Sequence, residues 1–311
     1  MQELQTIKVF SPATIANVGC GYDIMGFALE GLGETITVKR RAEPGLEIES
    51  ILGGYDLPLD VNKNLATIAA NALIQKSGKT DAGFTFILDK NINPGSGLGT
   101  SASSSAGAVF AVNKLLGNIY SEHELVEFAM EGEKAISGKA HADNVAPALL
   151  GGFVVVRSYD PLDLIPIRYP ENLHISIVHP QIQVKTMDAK RMLKKTLDLS
   201  QAVTQWGNVA GLIAGLNTND LDLVKRSMQD EVAEPVRSML IPYYDLVKKK
   251  ALSAGAYGCN IAGSGPSIFA FSDSLEKAEE IKEVMLSVYN KSPVAAHAFV
   301  SKIGKQGVKE L

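Results

Sequence analysis

Residues 91–109, NINPGSGLGTSASSSAGAV, set glycines and hydroxyls side by side. Glycines admit positive φ and let a backbone come close to a ligand. Amides and hydroxyls at the start of a helix suit an anion. Three readings compete for the run. A linker would be followed by an independent unit with its own polar start. Instead a strand-like segment, GFTFILDKN, leads in, and an amphipathic one, GTSASSSAGAVFAVNKLLG, leads out. A nucleophile elbow needs G-x-S-x-G. Ser96 has Pro94 two residues before it, and Ser101 has Gly99 before it but Ser103 after it. The third reading is a phosphate cradle of strand, glycine loop and helix start. There Thr100, Ser101 and Ser103 offer hydroxyls to phosphate oxygen or Mg2+ in the first helical turn. The common phosphate motifs fail. No Lys completes G-x-x-x-x-G-K-[ST], and Gly95, Gly97 and Thr100 miss the third glycine of G-x-G-x-x-G. The chemistry is that of a nucleotide phosphate, in a less common frame.

Elements must hold this loop in place. TIKVF, ETITVKRR and LEIESI read as strands, and NKNLATIAANALIQKSG as a helix that stops at Gly78. After the loop and its helix, SEHELVEFAMEGEKAISG is a second helix with Ser121 and Glu124 placed as a capping box. GGFVVVRS is a buried strand. Pro161, Pro166 and Pro170 interrupt residues 158–172, which places a domain boundary there. Beyond it come the strand LHISIVHP and helical segments at about 186–196, 200–216 and 219–230. A further helix begins at Pro235, a residue suited to a first turn. AYGCNIAG and SIFAFSD are strands, SLEKAEEIKEVMLSVYN a helix and PVAAHAFVS a strand. Strands and helices in both halves predict an α+β protein of two domains, residues 1–165 and 166–311.

Composition narrows the class. The 311 residues suffice for one large or two smaller domains. A net charge of −4 argues against a general nucleic-acid binder. The two cysteines, Cys20 and Cys259, make neither a disulfide framework nor a zinc site, so a cytoplasmic protein is expected. MQELQTIKVF lacks the basic and apolar regions of a signal peptide. No apolar run approaches the roughly 18 residues of a membrane helix.

GSGLGTSAS resembles the P-x-x-x-G-L-G-S-S-A loop of the GHMP kinases. FSPATIANVGCGYDIMGFAL and NIAGSGPSIFAF are similar to their first and third motifs, in order. GKAHADNVAPALLGGF resembles a block of the homoserine branch. The four blocks span residues 10–271, nearly the whole chain.

The resemblance implies a two-domain GHMP kinase fold. Its N-terminal α/β ATP-binding domain carries a left-handed-type βαβ phosphate loop. Its C-terminal domain is a ferredoxin-like α/β sandwich that contributes substrate-binding residues. Also implied are ATP with Mg2+, L-homoserine as the acceptor, and a homodimer. Another GHMP small-molecule kinase, of mevalonate or sugar type, and a silent ATP-binding sensor are the alternatives.

By the same resemblance, ATP falls to Asn62 (with an adenine pocket around 62–65), Lys90, Asn93, Pro94, Gly95, Ser96, Gly97, Leu98, Gly99, Thr100, Ser101, Ala102 and Ser103. Mg2+ falls to Glu133 with Thr100 or Ser101. The amino acid falls to Asn17, Asp23 (at the ammonium), Asn144, Thr186, Lys190 and Arg237. Asn144, Glu133 and Thr100 are the catalytic set. No side-chain base is evident. Asp143 and His141 are weighed as bases and set behind direct in-line transfer.

Read alone, Arg237 is an ordinary helix-face arginine and Asp23 a turn residue. Three departures from the family pattern stand out. Lys190 occupies an expected arginine position with Arg191 next to it, Asn93 stands where the family has proline, and Thr100 replaces a serine.

Overall fold

The computed structural model describes residues 5–138, 141–184, 189 and 191–311. The first sheet is built from β1 (Thr6–Ala16), β2 (Met25–Arg41), β3 (Gly45–Leu52), β4 (Gly83–Asp89), β5 (Phe153–Tyr159) and β6 (Leu162–Ile167). Its main path runs β3-β4-β2-β1, and a second branch leaves β2 through β5 to β6. The 17 residues of β2 make both branches possible. Among the described residues, only β3 and β4 pair in parallel. That pairing needs a crossover, which α1 (Leu65–Ser77) supplies.

Helix α2 (Thr100–Leu115) follows the loop, and α3 (Glu122–Ser137) carries the expected capping box of Ser121 and Glu124. The small residues of α2 are core, not linker. Ala102, Ala106, Ala108, Val109, Ala111 and Val112 are fully buried. Small side chains let the helix axis approach the sheet and its neighbouring helices closely.

Helix α4 (Ala142–Leu150) was not anticipated, because it contains Pro147. Proline has no N–H to give the carbonyl four residues back, which is that of Asp143. That carbonyl instead lies over β2, where a side chain at Gly26 would meet it at 1.8 Å. β6 was also missed. It is an edge strand paired only with β5, where Pro166 deprives no ladder of a donor.

The second sheet has β7 (His174–Pro180), β8 (Gly258–Ile261), β9 (Ile268–Ser272) and β10 (Ala296–Lys302), in the antiparallel order β10-β7-β9-β8. This is the ferredoxin-like order. Its helices are α5 (Leu199–Thr218), α6 (Leu221–Ser227), α7 (Glu234–Arg237), α8 (Tyr244–Ser253) and α9 (Leu275–Tyr289). The helix expected at Pro235 is thus a single turn, and the one expected over 219–230 covers only α6. Of the segment expected over 186–196, residues 186–188 and 190 lie outside the described residues, and 192–196 form turns and loop rather than helix.

An aromatic cluster joins the sheets. Phe27 and Phe153 from the first lie 5.8 Å apart, and Phe271 from the second stands 5.7 Å from Phe27. The chain crosses between sheets after Ile167, so a cut at 165/166 falls inside β6. The last strand, β11 (Lys309–Glu310), returns to pair with β1. Among the described residues no helix is long and apolar enough to cross a membrane.

Candidate active site

Three glycine turns meet at the junction of the sheets. The amide of Thr14 donates to Leu98 O (3.0 Å), that of Gly263 to Ala16 O (2.9 Å) and that of Ser267 to Ser96 O (3.1 Å). The first, second and third sequence blocks are therefore stitched backbone to backbone. Gly97, at φ +84°, has no room for a side chain, since a Cβ would meet Ala262 O at 2.6 Å. Gly99, at φ +60°, is the N-cap of α2, and a Cβ there would lie 1.9 Å from Thr14 Oγ1. A glycine cap provides no side-chain acceptor, so the first amides of α2 stay available to an anion.

A cavity of about 500 Å³ opens at this point. At its phosphate end Thr100, Ser101, Gly95, Gly97 and Gly99 line the wall. Beneath them lies a buried ion pair, Lys90 Nζ to Glu34 Oε2 at 2.8 Å. Lys90 also donates to Thr100 O (3.3 Å) and to Ser104 Oγ, and Ser104 donates to Glu34 Oε1 (2.9 Å). This network fixes the first turn of α2 from below.

Also on the cavity wall, Asn17 and Asp23 both adopt positive φ, which brings the turn back on itself. Asn17 Oδ1 accepts from the Asp23 amide (2.8 Å), while its Nδ2 donates to Gly263 O (3.0 Å). Arg237 Nη1 donates to the same carbonyl at 3.1 Å. The guanidinium stands 5.0 Å over the Tyr22 ring and is only 3% exposed. Burial, then Asp23, pushes the Tyr22 phenol up to about 12, so it keeps its proton. Tyr159 clamps the turn, donating to Asp23 O (2.7 Å) and accepting from the Ala142 amide (3.3 Å).

Glu133, His141, Asp143 and Asn144 also line the cavity. Asn144 Oδ1 accepts from Thr14 Oγ1 at 2.7 Å. His141 Nδ1 lies 3.6 Å from Asp23 Oδ1, so it touches the site rather than only its own backbone. Asp143 is buried, and desolvation followed by the charges of Asp23 and Glu133 raises its carboxyl to about 8. The folded protein then holds a proton that the unfolded chain releases near 3.8. Folding takes up that proton between these values, so stability falls as pH rises through the window. Asp143→Asn removes the effect. In the ligand-free protein its melting temperature should gain on wild type progressively from pH 5 to pH 9, as scanning fluorimetry would show; a constant offset would refute the shift.

The structure gathers most of the expected residues. Asn17, Asp23, Lys90, Pro94, Gly95, Gly97, Gly99, Thr100, Ser101, Glu133, Asn144 and Arg237 all line the cavity. Ser103 does not. Its hydroxyl donates to Ser11 O (2.9 Å) and Ser11 returns the bond, so it clips α2 to β1. Ser104, one residue on, faces the cavity instead. Ser96 and Leu98 are buried in the loop, and Ala102 is buried within α2. Asn93 and Asn62 are exposed. Asn64, two residues on, lines the cavity and caps α1, its Oδ1 accepting from Ala66 N (3.1 Å). Thr186 and Lys190 lie outside the described residues. Glu34 was missed, because nothing in the alternating strand around it marks an inward charge. Of the α3 glutamates, Glu127 and Glu131 are exposed and only Glu133 reaches the cavity.

Family models agree with this architecture. That of the GHMP kinases N terminal domain matches residues 64–152, and that of the GHMP kinases C terminal region matches 212–291. The chain belongs to the GHMP kinases. A homoserine kinase of Chloroherpeton thalassium is 46% identical over 99% of this chain and 100% of its own length. One from Pyrococcus abyssi is 36% identical over 96% and 97%. The crystal structure of homoserine kinase from Cytophaga hutchinsonii superposes with a TM-score of 0.96 at 48% identity, covering 100% of this chain and 99% of that one. Within the GHMP kinases, this chain sides with the homoserine kinases. A mevalonate kinase structure, 18% identical with a TM-score of 0.71, shares the fold.

Proposed function

We infer that the protein is a homoserine kinase. It transfers the γ-phosphate of ATP to the side-chain hydroxyl of L-homoserine, giving ADP and O-phospho-L-homoserine on the route to threonine. One observation carries the reading: an anion cradle and a two-pole amino-acid subsite share a single cavity. Asp23 supplies a negative pole for an ammonium, and Arg237 a planar cation for a carboxylate. A mevalonate or a sugar would leave the Asp23 pole unmatched. The two buried, unpaired cysteines suit the reducing cytosol.

Among the described residues no three acidic, histidine or cysteine side chains converge to hold a metal by themselves. Glu133 does share the cavity with the hydroxyl residues Thr100 and Ser101. One carboxylate with hydroxyl oxygens is the sparse, hard donor set that suits Mg2+, which keeps waters and phosphate oxygens as its other ligands. Bound there, Mg2+ would neutralise phosphate charge.

The chain's own residues do the rest. The amides of α2 and its loop hold the phosphates, and Asn144, anchored by Thr14, orients the acceptor hydroxyl. Asp143 is buried, with its carboxyl raised by desolvation, and no side chain is assigned as base. The hydroxyl attacks in line and gives up its proton late, to the transferring phosphoryl group. Positioning and electrostatics supply the rate.

The test is ADP release with a substrate panel. L-homoserine should give the highest kcat/KM. Strong release with mevalonate or a sugar, and none with L-homoserine, would overturn the assignment. Glu133→Gln should lower kcat on the order of 10²-fold, the scale of one lost preorganised electrostatic contact, and raise the Mg2+ concentration for half-maximal rate. An unchanged rate would remove Glu133 from metal binding.

A further inference from the structure

Asp23 and Arg237 come from distant parts of the chain, yet an amino acid must reach both. Their separation is therefore a quantity the fold has to set. One buried side chain spans the gap between the two segments. Gln205, on α5, is 7% exposed. Its Nε2 donates to Cys20 O at 2.6 Å, in the turn between Asn17 and Asp23. The same nitrogen donates to Asp230 Oδ1 at 2.9 Å, and Oε1 accepts from the Glu231 amide at 2.8 Å.

Asp230 leads directly to Arg237. Its carboxylate accepts from the amides of Val232 (2.9 Å), Ala233 (3.0 Å) and Glu234 (2.8 Å), which form the entry to α7. Arg237 is the last residue of that single turn, and its amide bonds back to Ala233 O at 2.9 Å. A four-residue helix has little rigidity of its own, so its direction depends on what holds its start.

We propose that Gln205 is a positioning residue for the amino-acid subsite. By bridging Cys20 O and the Asp230 cap, it sets the distance between the ammonium pole and the carboxylate pole. The proposal rests on the homoserine reading above. The demand is for an amide in particular. Two acceptors face Nε2 and one donor faces Oε1, a pattern that no other neutral side chain of this length matches. A glutamate has the same shape but turns an acceptor onto a carbonyl and a carboxylate.

Gln205→Glu should raise the KM for L-homoserine about 10- to 100-fold, the scale of a buried polar group left unmatched. The KM for ATP should stay within about twofold, because the cradle is built by other elements. Protonating the introduced carboxylate restores a donor, so the excess in KM over wild type should shrink from pH 8 to pH 6. Gln205→Met removes the bridge without adding charge, and should show the same split between the two KM values at all pH. In Arg237→Lys, the effect of Gln205→Met should be smaller than in wild type, since it acts through Arg237.

Variants that fold, with both KM values unchanged or moved alike, would overturn the inference and leave Gln205 a fold-stabilising residue. A wild-type protein without homoserine-dependent ADP release would overturn the functional reading, and this inference with it.

Discussion

Arg237→Leu is expected to lower kcat/KM for L-homoserine by about 10³-fold or more, with the KM for ATP changed by less than about twofold. The size follows from the surroundings of the guanidinium. It is buried, stacked over Tyr22 and bonded to Gly263 O, yet its Nε has no hydrogen-bond partner among the described residues. A buried donor without an acceptor is costly, so the ligand-free site is incomplete in a way a carboxylate would remedy. Truncating one member of a desolvated charge pair costs about 2–5 kcal/mol, and the upper half of that range is appropriate at 3% exposure. Arg237→Lys keeps the charge but loses the planar fork and the ring stacking, so a loss of about 10- to 100-fold is expected. Steady-state ADP release with each substrate varied in turn distinguishes the outcomes. Equal losses toward ATP and homoserine would mean that Arg237 holds the glycine turns together rather than the substrate.

Much of this site was legible in the sequence because it is made of short, contiguous turns. NVGCGYD, GSGLGTS and AGSGP each need glycine at fixed positions, and the backbone constraint writes itself into the chain. What the sequence could not convey is helical phase. Thr100, Ser101, Ser103 and Ser104 look equivalent as letters. With α2 starting at Thr100, residues 100, 101 and 104 fall toward the cavity and Ser103 falls toward β1. The residues that act through other residues were equally silent. Gln205 is one polar letter on an otherwise ordinary helix, and its meaning comes from Cys20 and Asp230 across the fold. Arg237 looked like a solvated helix residue, because a single turn ending in arginine carries no periodicity to reveal its buried side. At the fold level, strands with clean alternation were recognised. α4 and β6 were missed because a proline, normally a breaker, sits where its missing N–H does no harm.

Lys90→Met is expected to lower the free energy of unfolding by about 3–5 kcal/mol, the range for removing one partner of a buried ion pair. Both side chains are buried, 5% exposed for Lys90 and 4% for Glu34. Without the ammonium, Glu34 is left a buried charge held, among the described residues, only by Ser104, which costs stability. Glu34→Gln combined with Lys90→Met removes both charges and keeps an acceptor for Ser104. It should recover most of the stability, since replacing a whole buried pair is far less costly than breaking it. Urea or guanidinium unfolding of the single and double variants measures this, and a double variant no more stable than Lys90→Met would refute the pairing argument. The effect reaches function through α2. Lys90 holds Thr100 O and Ser104 Oγ, so without it the first helical turn loses its support from below. The double variant should then fold well but bind ATP weakly, because an oriented helix start is what gives the cradle its affinity. Stability regained while the KM for ATP stays high would separate the ion pair's two roles, one in the core and one under the phosphates.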